Sequence, residues 1–417
     1  MLKPRLSPVT TELKSQLPEG PQASPSEKEA VLTRAFPAVA MAVCLALISV
    51  SMVAPILPPY VAGMGASGLW LGIVLAVYSV TRAILMPVFG WLSDRRGRKI
   101  FVASGLGACI VISLAYIPAV SIPSLIAVRI VHGVATAMIV PVATAYVGEL
   151  TAKGHEGKWM GRFNTVTLIG VGAGPLLGGV MADHLGMSAA FITMAGLYLV
   201  AFFGVILWMK EVKSQSEQGR PRPSFRQLSR SPGVLGLFAY WLTFEAAMTA
   251  FMTFIPLFAI GNVNLDLTRI GLLFGINILV TSLLQIWTGK TADRFNRLAM
   301  AVIGGILTCT PLAFIPVSTE FWHLVVVMAV SGVGIAIFMP ALSAIQVEEG
   351  RKFGMASTGA SIAVSMAIGV AFGPVAAGAV NDLAGLPAVF YFSAAIGVPG
   401  IAVFVWLNGR HKARRQT

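Results

Sequence analysis

Glu245 is the one acidic residue that falls well inside a long apolar run, about halfway along the stretch 233–259. A charge at mid-bilayer costs about 2.5–3.5 kcal/mol even on the lenient insertion scale, so a residue kept there usually has a task. Three tasks fit a lone carboxyl: carrying a coupled proton, binding a cationic substrate, or neutralising a buried arginine. Arg82 is a candidate for that last partnership. It lies eight residues before Gly90, about 12 Å into its run at 1.5 Å per residue. Tyr78, four residues earlier, shares its helical face, and we place that face towards a cavity, where Arg82 could instead attract an anion. Arg129 and His132 also share a face, at i and i+3. An imidazole gains and loses protons near neutral pH, so His132 is either a titrating group or a hydrogen-bonded packing histidine. Tyr240 and Phe244, close to Glu245 in sequence, are expected to line the cavity with Tyr78.

The elements that position these residues follow from hydropathy. The chain is 417 residues long, 56% hydrophobic and 11% charged, with a mean hydropathy of +0.80. A soluble domain carries roughly 25% charged residues, so this chain has too few to cover a surface facing water. Apolar runs of about 20 residues, the length that crosses a bilayer, fall at 35–59, 67–92, 100–120, 123–148, 160–182, 188–209, 233–259, 268–291, 298–317, 322–346, 354–381 and 387–408. The fold class is therefore an all-α membrane protein with twelve transmembrane helices. Residues 1–34, polar and rich in Pro, Ser and Glu, are expected to form a disordered cytoplasmic tail.

Charge placement orients the runs. With both termini assigned to the cytoplasm, every Lys and Arg falls in a cytoplasmic tail or loop except Arg82, Arg129 and Arg269. This is the asymmetry of the positive-inside rule. The net charge of +13 is thus a topology signal, with no call for a nucleic-acid partner. The expected location is the plasma (inner) membrane. Enzyme chemistry is not expected: there is no HExxH or GxSxG, and the five histidines are scattered. Neither a metal nor a cofactor is implied, and the three cysteines sit in apolar runs without a disulfide framework.

The sequence also repeats itself. Gly90-Trp-Leu-Ser-Asp94-Arg95-Arg-Gly97-Arg98 is echoed by Gly289-Lys-Thr-Ala-Asp293-Arg294-Phe-Asn-Arg297, an offset of 199 residues. The same offset pairs Gly133 with Gly332, Pro141 with Pro340 and Glu149 with Glu348. It also pairs Gly170, Gly174, Pro175, Gly179, Asp183 and Gly186 with Gly369, Gly373, Pro374, Gly378, Asp382 and Gly385. The chain then divides into a six-helix bundle over 35–209, a cytoplasmic linker over 210–232, a second bundle over 233–408 and a cytoplasmic tail over 409–417. Parallel repeats of this kind hold a substrate between the halves near mid-membrane and expose it to each side in turn. At this offset Glu245 pairs with Ala46, so one half alone carries the acid.

At these residues the chain resembles the major facilitator superfamily, over 35–408. Gly90–Lys99 matches the superfamily's loop between helices two and three. Arg129-Ile-Val-His132-Gly133 resembles the helix-four motif of proton-coupled members, with His where Gln is usual. Gly170, Gly174, Pro175, Gly178 and Gly179 match the helix-five motif of antiporters. Together they resemble the twelve-helix drug:proton antiporter branch. The resemblance implies a secondary carrier, monomeric and embedded in a lipid bilayer, that exchanges a small molecule for protons by alternating access. It implies a role for Arg129 in proton movement, and a latch in which Asp94 approaches the start of helix eleven near Gly354–Ser357 and closes the cytoplasmic side. Three readings of the residues stay open: efflux of an amphipathic compound by proton antiport, carriage of an anionic metabolite with Arg82 and Arg129 as ligands, and, for the helix-five glycines, plain close packing.

Overall fold

The computed structural model describes residues 25–151, 155–211, 231–291 and 295–416. The described residues are almost wholly helical and contain no strand. The helices are α1 (Pro25–Ala62), α2 (Gly68–Arg96), α3 (Arg98–Ala115), α4, which is broken into Ile122–Ala137 and Val140–Leu150, α5 (Glu156–Leu185) and α6 (Met187–Trp208). The second half repeats the pattern with α7 (Pro232–Val263), α8 (Leu267–Thr291), α9 (Arg297–Cys309, continued by a 3₁₀ stretch Thr310–Val317), α10 (Phe321–Phe353), α11 (Met355–Ala384) and α12 (Leu386–Gln416). Twelve of the described segments are long and apolar enough to cross a membrane. The helical ends reach further than hydropathy alone suggests. Helix α1 starts at Pro25, inside the stretch read as a disordered tail, and α12 continues to Gln416. Residues 1–24 and most of the linker, 212–230, lie outside the described residues.

Local chemistry sets the breaks. Ser67 caps α2, Ser121 and Ser124 form a reciprocal capping box on α4, and Ser231 caps α7 just before Pro232. Gly97, with φ of 102°, makes the tight corner between α2 and α3, a conformation that side chains with a Cβ rarely adopt.

Helix α1 packs on α5 and α6, and α7 packs on α11 and α12, so each half has its own core. The halves meet through α2 against α11 and α5 against α8. These contacts lie at one end of the helices. A methyl group at Gly72 would overlap the backbone of Pro374, and one at Gly271 the backbone of Pro175. At the other end, Gly90 of α2, Gly161 of α5 and Gly289 of α8 have no neighbour within 4 Å of an added Cβ. That end carries the basic cluster Arg95, Arg96, Arg98 and Lys99. The close contacts between the halves thus lie at the face opposite the basic cluster.

Candidate functional site

The first half holds a buried polar cluster on α2, α4 and α6. Gly133 lets α4 lie directly on α2, because an added Cβ would stand 2.6 Å from the Tyr78 carbonyl. That approach brings Arg129 to the α2 backbone. Its Nε donates to the Val74 carbonyl at 3.2 Å and its Nη2 to the Leu75 carbonyl at 3.4 Å, while its guanidinium lies 4.3 Å from the Tyr78 ring centroid. Such a face-on contact is worth about 2 kcal/mol or more when desolvated. These contacts tie α4 to α2 at Arg129.

His132, fully buried, is held by two phenols. Nδ1 lies 3.0 Å from the Tyr116 hydroxyl and Nε2 lies 3.4 Å from the Tyr198 hydroxyl. A neutral imidazole offers one donor and one acceptor, and each phenol can supply the complement. Tyr116 is fixed in turn by stacking on Phe191 at 5.0 Å. Neither Tyr116 nor Tyr198 stands out in the sequence, since both sit in apolar runs far from the motif.

Arg82 is different. Its buried Nε has no hydrogen-bond partner, and the side chain borders a cavity of about 20 Å³ lined also by Leu47, Val50, Tyr78, Thr136, Ile139 and Tyr198. A space of that size holds one water.

In the second half, Glu245 is half-buried on α7, and among the described residues it forms no ion pair, so of the tasks open to it the pairing with Arg82 is not formed here. The backbone of α11 approaches it closely: a Cβ on Gly369 would lie 2.9 Å from the Glu245 Cβ. The contacts correct the register of the repeat. Gly170 meets Cys44 and Leu47, and its partner Gly369 meets Leu242 and Glu245. Gly174 meets Ile48 and Ser51, and Gly373 meets Ala246 and Thr249. Helices α1 and α7 are therefore related by 198 residues, and Glu245 stands in the place of Leu47, not Ala46. Elsewhere the offset of 199 holds, as Gly332 meets Asn277 and Thr281 where Gly133 meets Tyr78 and Arg82.

Tyr240 is not a cavity residue. It is 2% exposed, its hydroxyl donates to the Ala301 carbonyl at 2.8 Å, and its ring packs on Phe338 and Phe404. Phe244 belongs to the same aromatic core, 4.7 Å from the Phe338 ring. Both point into the second half because α7 turns this face towards α9, α10 and α12.

The loop motif is arranged as an intra-half brace. Arg98 bridges Asp94 at 2.8 Å and Glu149 at 2.8 Å, and Arg95 lies over the Trp91 ring. Arg297 and Glu348 repeat the second bridge at 3.6 Å; Asp293 and Arg294 lie outside the described residues. Among the described residues Asp94 is thus engaged by Arg98 of its own half, and no bond from it to the start of α11 is seen. The helix-five glycines pack: Gly170, Gly174 and Gly178 sit against α1, while Gly179 meets Leu267 of the other half and the Pro175 carbonyl faces Gly271. Among the described residues no group of His, Cys, Asp or Glu could hold a metal.

Comparison with known proteins fits this architecture. The family model described as Major Facilitator Superfamily matches residues 39–364 and 262–417. An uncharacterised MFS-type transporter of Methanocaldococcus jannaschii is 25% identical over 84% of this chain and 92% of its own length. The multidrug resistance protein MdtG of Escherichia fergusonii is 28% identical over 88% of this chain and 92% of its own. Among solved structures, the nucleoside transporter NupG superposes with a TM-score of 0.76 at 13% identity, covering 89% of this chain and 99% of its own. A bacterial homologue of the human lysosomal transporter Spinster, in an inward-facing and occupied conformation, gives 0.73 at 11% identity, covering 93% and 98%. At such identities the structures speak to the fold alone.

Proposed function

Because the chain belongs to the Major Facilitator Superfamily, and is therefore a multi-pass membrane carrier and not an enzyme, we propose that it exports an amphipathic small molecule in exchange for protons. The observation that supports this reading is Glu245. It is a carboxyl well inside a membrane span, half-buried, without an ion-pair partner among the described residues, and held against the α11 backbone where the two halves' own repeat offers only Leu47. Such a group can be neutral while the carrier crosses and charged when water reaches it, which a proton carrier requires. The relatives named multidrug resistance protein favour efflux as the direction.

In this reading the basic face is cytoplasmic, the membrane is the plasma (inner) membrane, and the protein works as a monomer. The conformation with the halves in close contact at the opposite face is then the inward-open one, ready to load substrate between the bundles. The inward proton drives the exchange, each charge being worth about 2.3 kcal/mol per 100 mV. Asp94 and Arg98 are the charges that regroup when the basic face closes, with Asp293 and Arg294 in the corresponding role in the second half.

A second reading rests on Arg82, whose unpartnered Nε beside a small cavity suits an anionic group of a metabolite. One experiment separates the two. The protein in liposomes with an internal pH dye is challenged with amphipathic cations and with organic anions, as wild type, Glu245→Gln and Arg82→Gln. Proton movement driven by an amphipathic compound, lost in Glu245→Gln and kept in Arg82→Gln, is the expected result. Anion transport without proton movement, lost only in Arg82→Gln, would replace the exporter with an anion exchanger.

A further inference from the structure

The face opposite the basic cluster is closed by more than glycine packing. Near the end of α5, the Asp183 carboxylate accepts from the Leu267 and Thr268 backbone N–H groups at 3.1 and 2.6 Å and from the Thr268 hydroxyl at 2.6 Å. Near the end of α11, the Asp382 carboxylate accepts from the Gly68 and Leu69 N–H groups at 2.6 and 2.9 Å. Both contacts cross between the halves. Each donor and acceptor of one contact is 199 residues from its counterpart in the other, so the two contacts are equivalent copies under the repeat.

Three physical facts set these carboxylates apart from ordinary surface charges. The N–H groups they take are among the first of α8 and α2, which have no partner within their own helix. The carboxylates also meet the positive ends of those helix dipoles. And each sits two residues before the end of its own helix, α5 ending at Leu185 and α11 at Ala384. There the dipole of the parent helix disfavours a negative charge. Their placement is locally costly, and the bonds from the neighbouring half offset it.

The surroundings of the two are similar but unequal. At α8 the charged neighbours are Asp266, whose carboxylate caps the Arg269 N–H at 2.7 Å, Arg269 itself at 3.7 Å from Asp266, and His184 beside Asp183. At α2 the place of Asp266 is taken by Ser67, which caps Trp70.

We propose that Asp183 and Asp382 are twin locks that hold this face shut, so that both must release their helix ends before the carrier opens on that side. The assignment rests on alternating access. It makes the opposite-face closure a polar, breakable contact at both α8 and α2.

The test replaces each carboxylate by its isosteric amide, Asp183→Asn and Asp382→Asn, singly and together, with Thr268→Val as a milder loss of one bond. Spin labels at the exposed positions Val120 and Thr319 report separation of the halves on the opposite face, and labels at Ile100 and Phe295 report the basic face. The native cysteines are first replaced. Each amide is expected to raise the population open at Val120–Thr319 roughly two- to thirty-fold, the range of a lost charge–dipole contact. The double variant should show about the product of the two shifts, and Thr268→Val the smallest. Retained cooperative unfolding of each variant shows that it has folded. Distance distributions unchanged in all variants, while the wild type exchanges between its two forms with substrate or a proton gradient, would overturn the locks alone. A wild type that never leaves one form under either condition would overturn alternating access and the locks with it.

Discussion

The two halves share a backbone plan and differ in chemistry at the same depth. In the first, α2 and α4 carry Tyr78, Arg82, Arg129 and His132, of which His132 is hydrogen-bonded to Tyr116 and Tyr198 and Arg129 to the α2 carbonyls. In the second, the equivalent positions hold Asn277, Thr281, Met328 and Ser331, and the bulk is an aromatic core of Tyr240, Trp241, Phe244, Phe338 and Phe404. The acid shows the reverse bias, Glu245 in the second half against Leu47 in the first. A duplicated fold has thus placed its cations on one wall and its single carboxyl on the other. Symmetry governs how the halves move, and the broken symmetry decides what they can bind.

The comparison is most exposed at Glu245. Glu245→Gln should reduce substrate-driven proton movement in liposomes to the level of protein-free vesicles. The double variant Leu47→Glu with Glu245→Leu should not restore it, because an acid at position 47 would border the same small cavity as Arg82 and pair with it. Recovery of coupling in that variant would show that the halves are interchangeable.

A bulky residue at the inter-half contact comes next. Gly271→Leu would drive a side chain into the Pro175 backbone, and overpacking of this kind costs about 1–3 kcal/mol. Labels at Val120 and Thr319 should report a more open face, whereas Gly289→Leu on the same helix should leave the distance unchanged.

Arg129→Leu should lower the unfolding midpoint in detergent, with a loss of about 1–3 kcal/mol from buried groups left without partners. Met328→Leu at the matching site should cost less than about 1.5 kcal/mol. Equal effects would remove the structural distinction between the walls. The smallest effect is expected for Tyr240→Phe, about 1 kcal/mol of stability from one hydrogen bond, with substrate KM unchanged. A rise in KM would return Tyr240 to the cavity.

Much of this architecture is legible in the sequence because a bilayer is a simple solvent. It demands apolar runs of fixed length, and the twelve runs fall where the spanning helices do. The repeat motif likewise carries its offset into the packing of Gly133 on Tyr78 and Gly332 on Asn277. What escaped is what depends on a single residue or on conformation. Between the α1 face that meets α5 and the start of α2 there is one residue fewer than in the second half. A residue turns a helix by about 100°, at 3.6 residues per turn, so a uniform offset chooses Ala46 where the structure chooses Leu47. The partner of Asp94 cannot be read from the chain, since it depends on whether the basic face is open. Tyr240 lies near Glu245 in sequence, yet it points into the second half's core because successive residues on a helix face different neighbours. The roles of Asp183 and Asp382 needed the helix ends they meet, which are 84 and 314 residues away in the chain.

The break in α4 at Met138 and Ile139 marks where the two halves depart in winding. Pro141 and Pro340 are equivalent, but only α4 is interrupted; α10 runs unbroken from Phe321 to Phe353. A proline removes one bond from the ladder of either helix, so the break in α4 is a local change of winding added to what the proline does in both. At this point α4 tightens, with the Met138 and Ile139 N–H groups donating to the Ala135 and Thr136 carbonyls, and Ile139 lines the wall of the Arg82 cavity; this departure from the repeat along the helix thus falls beside the first half's buried cation.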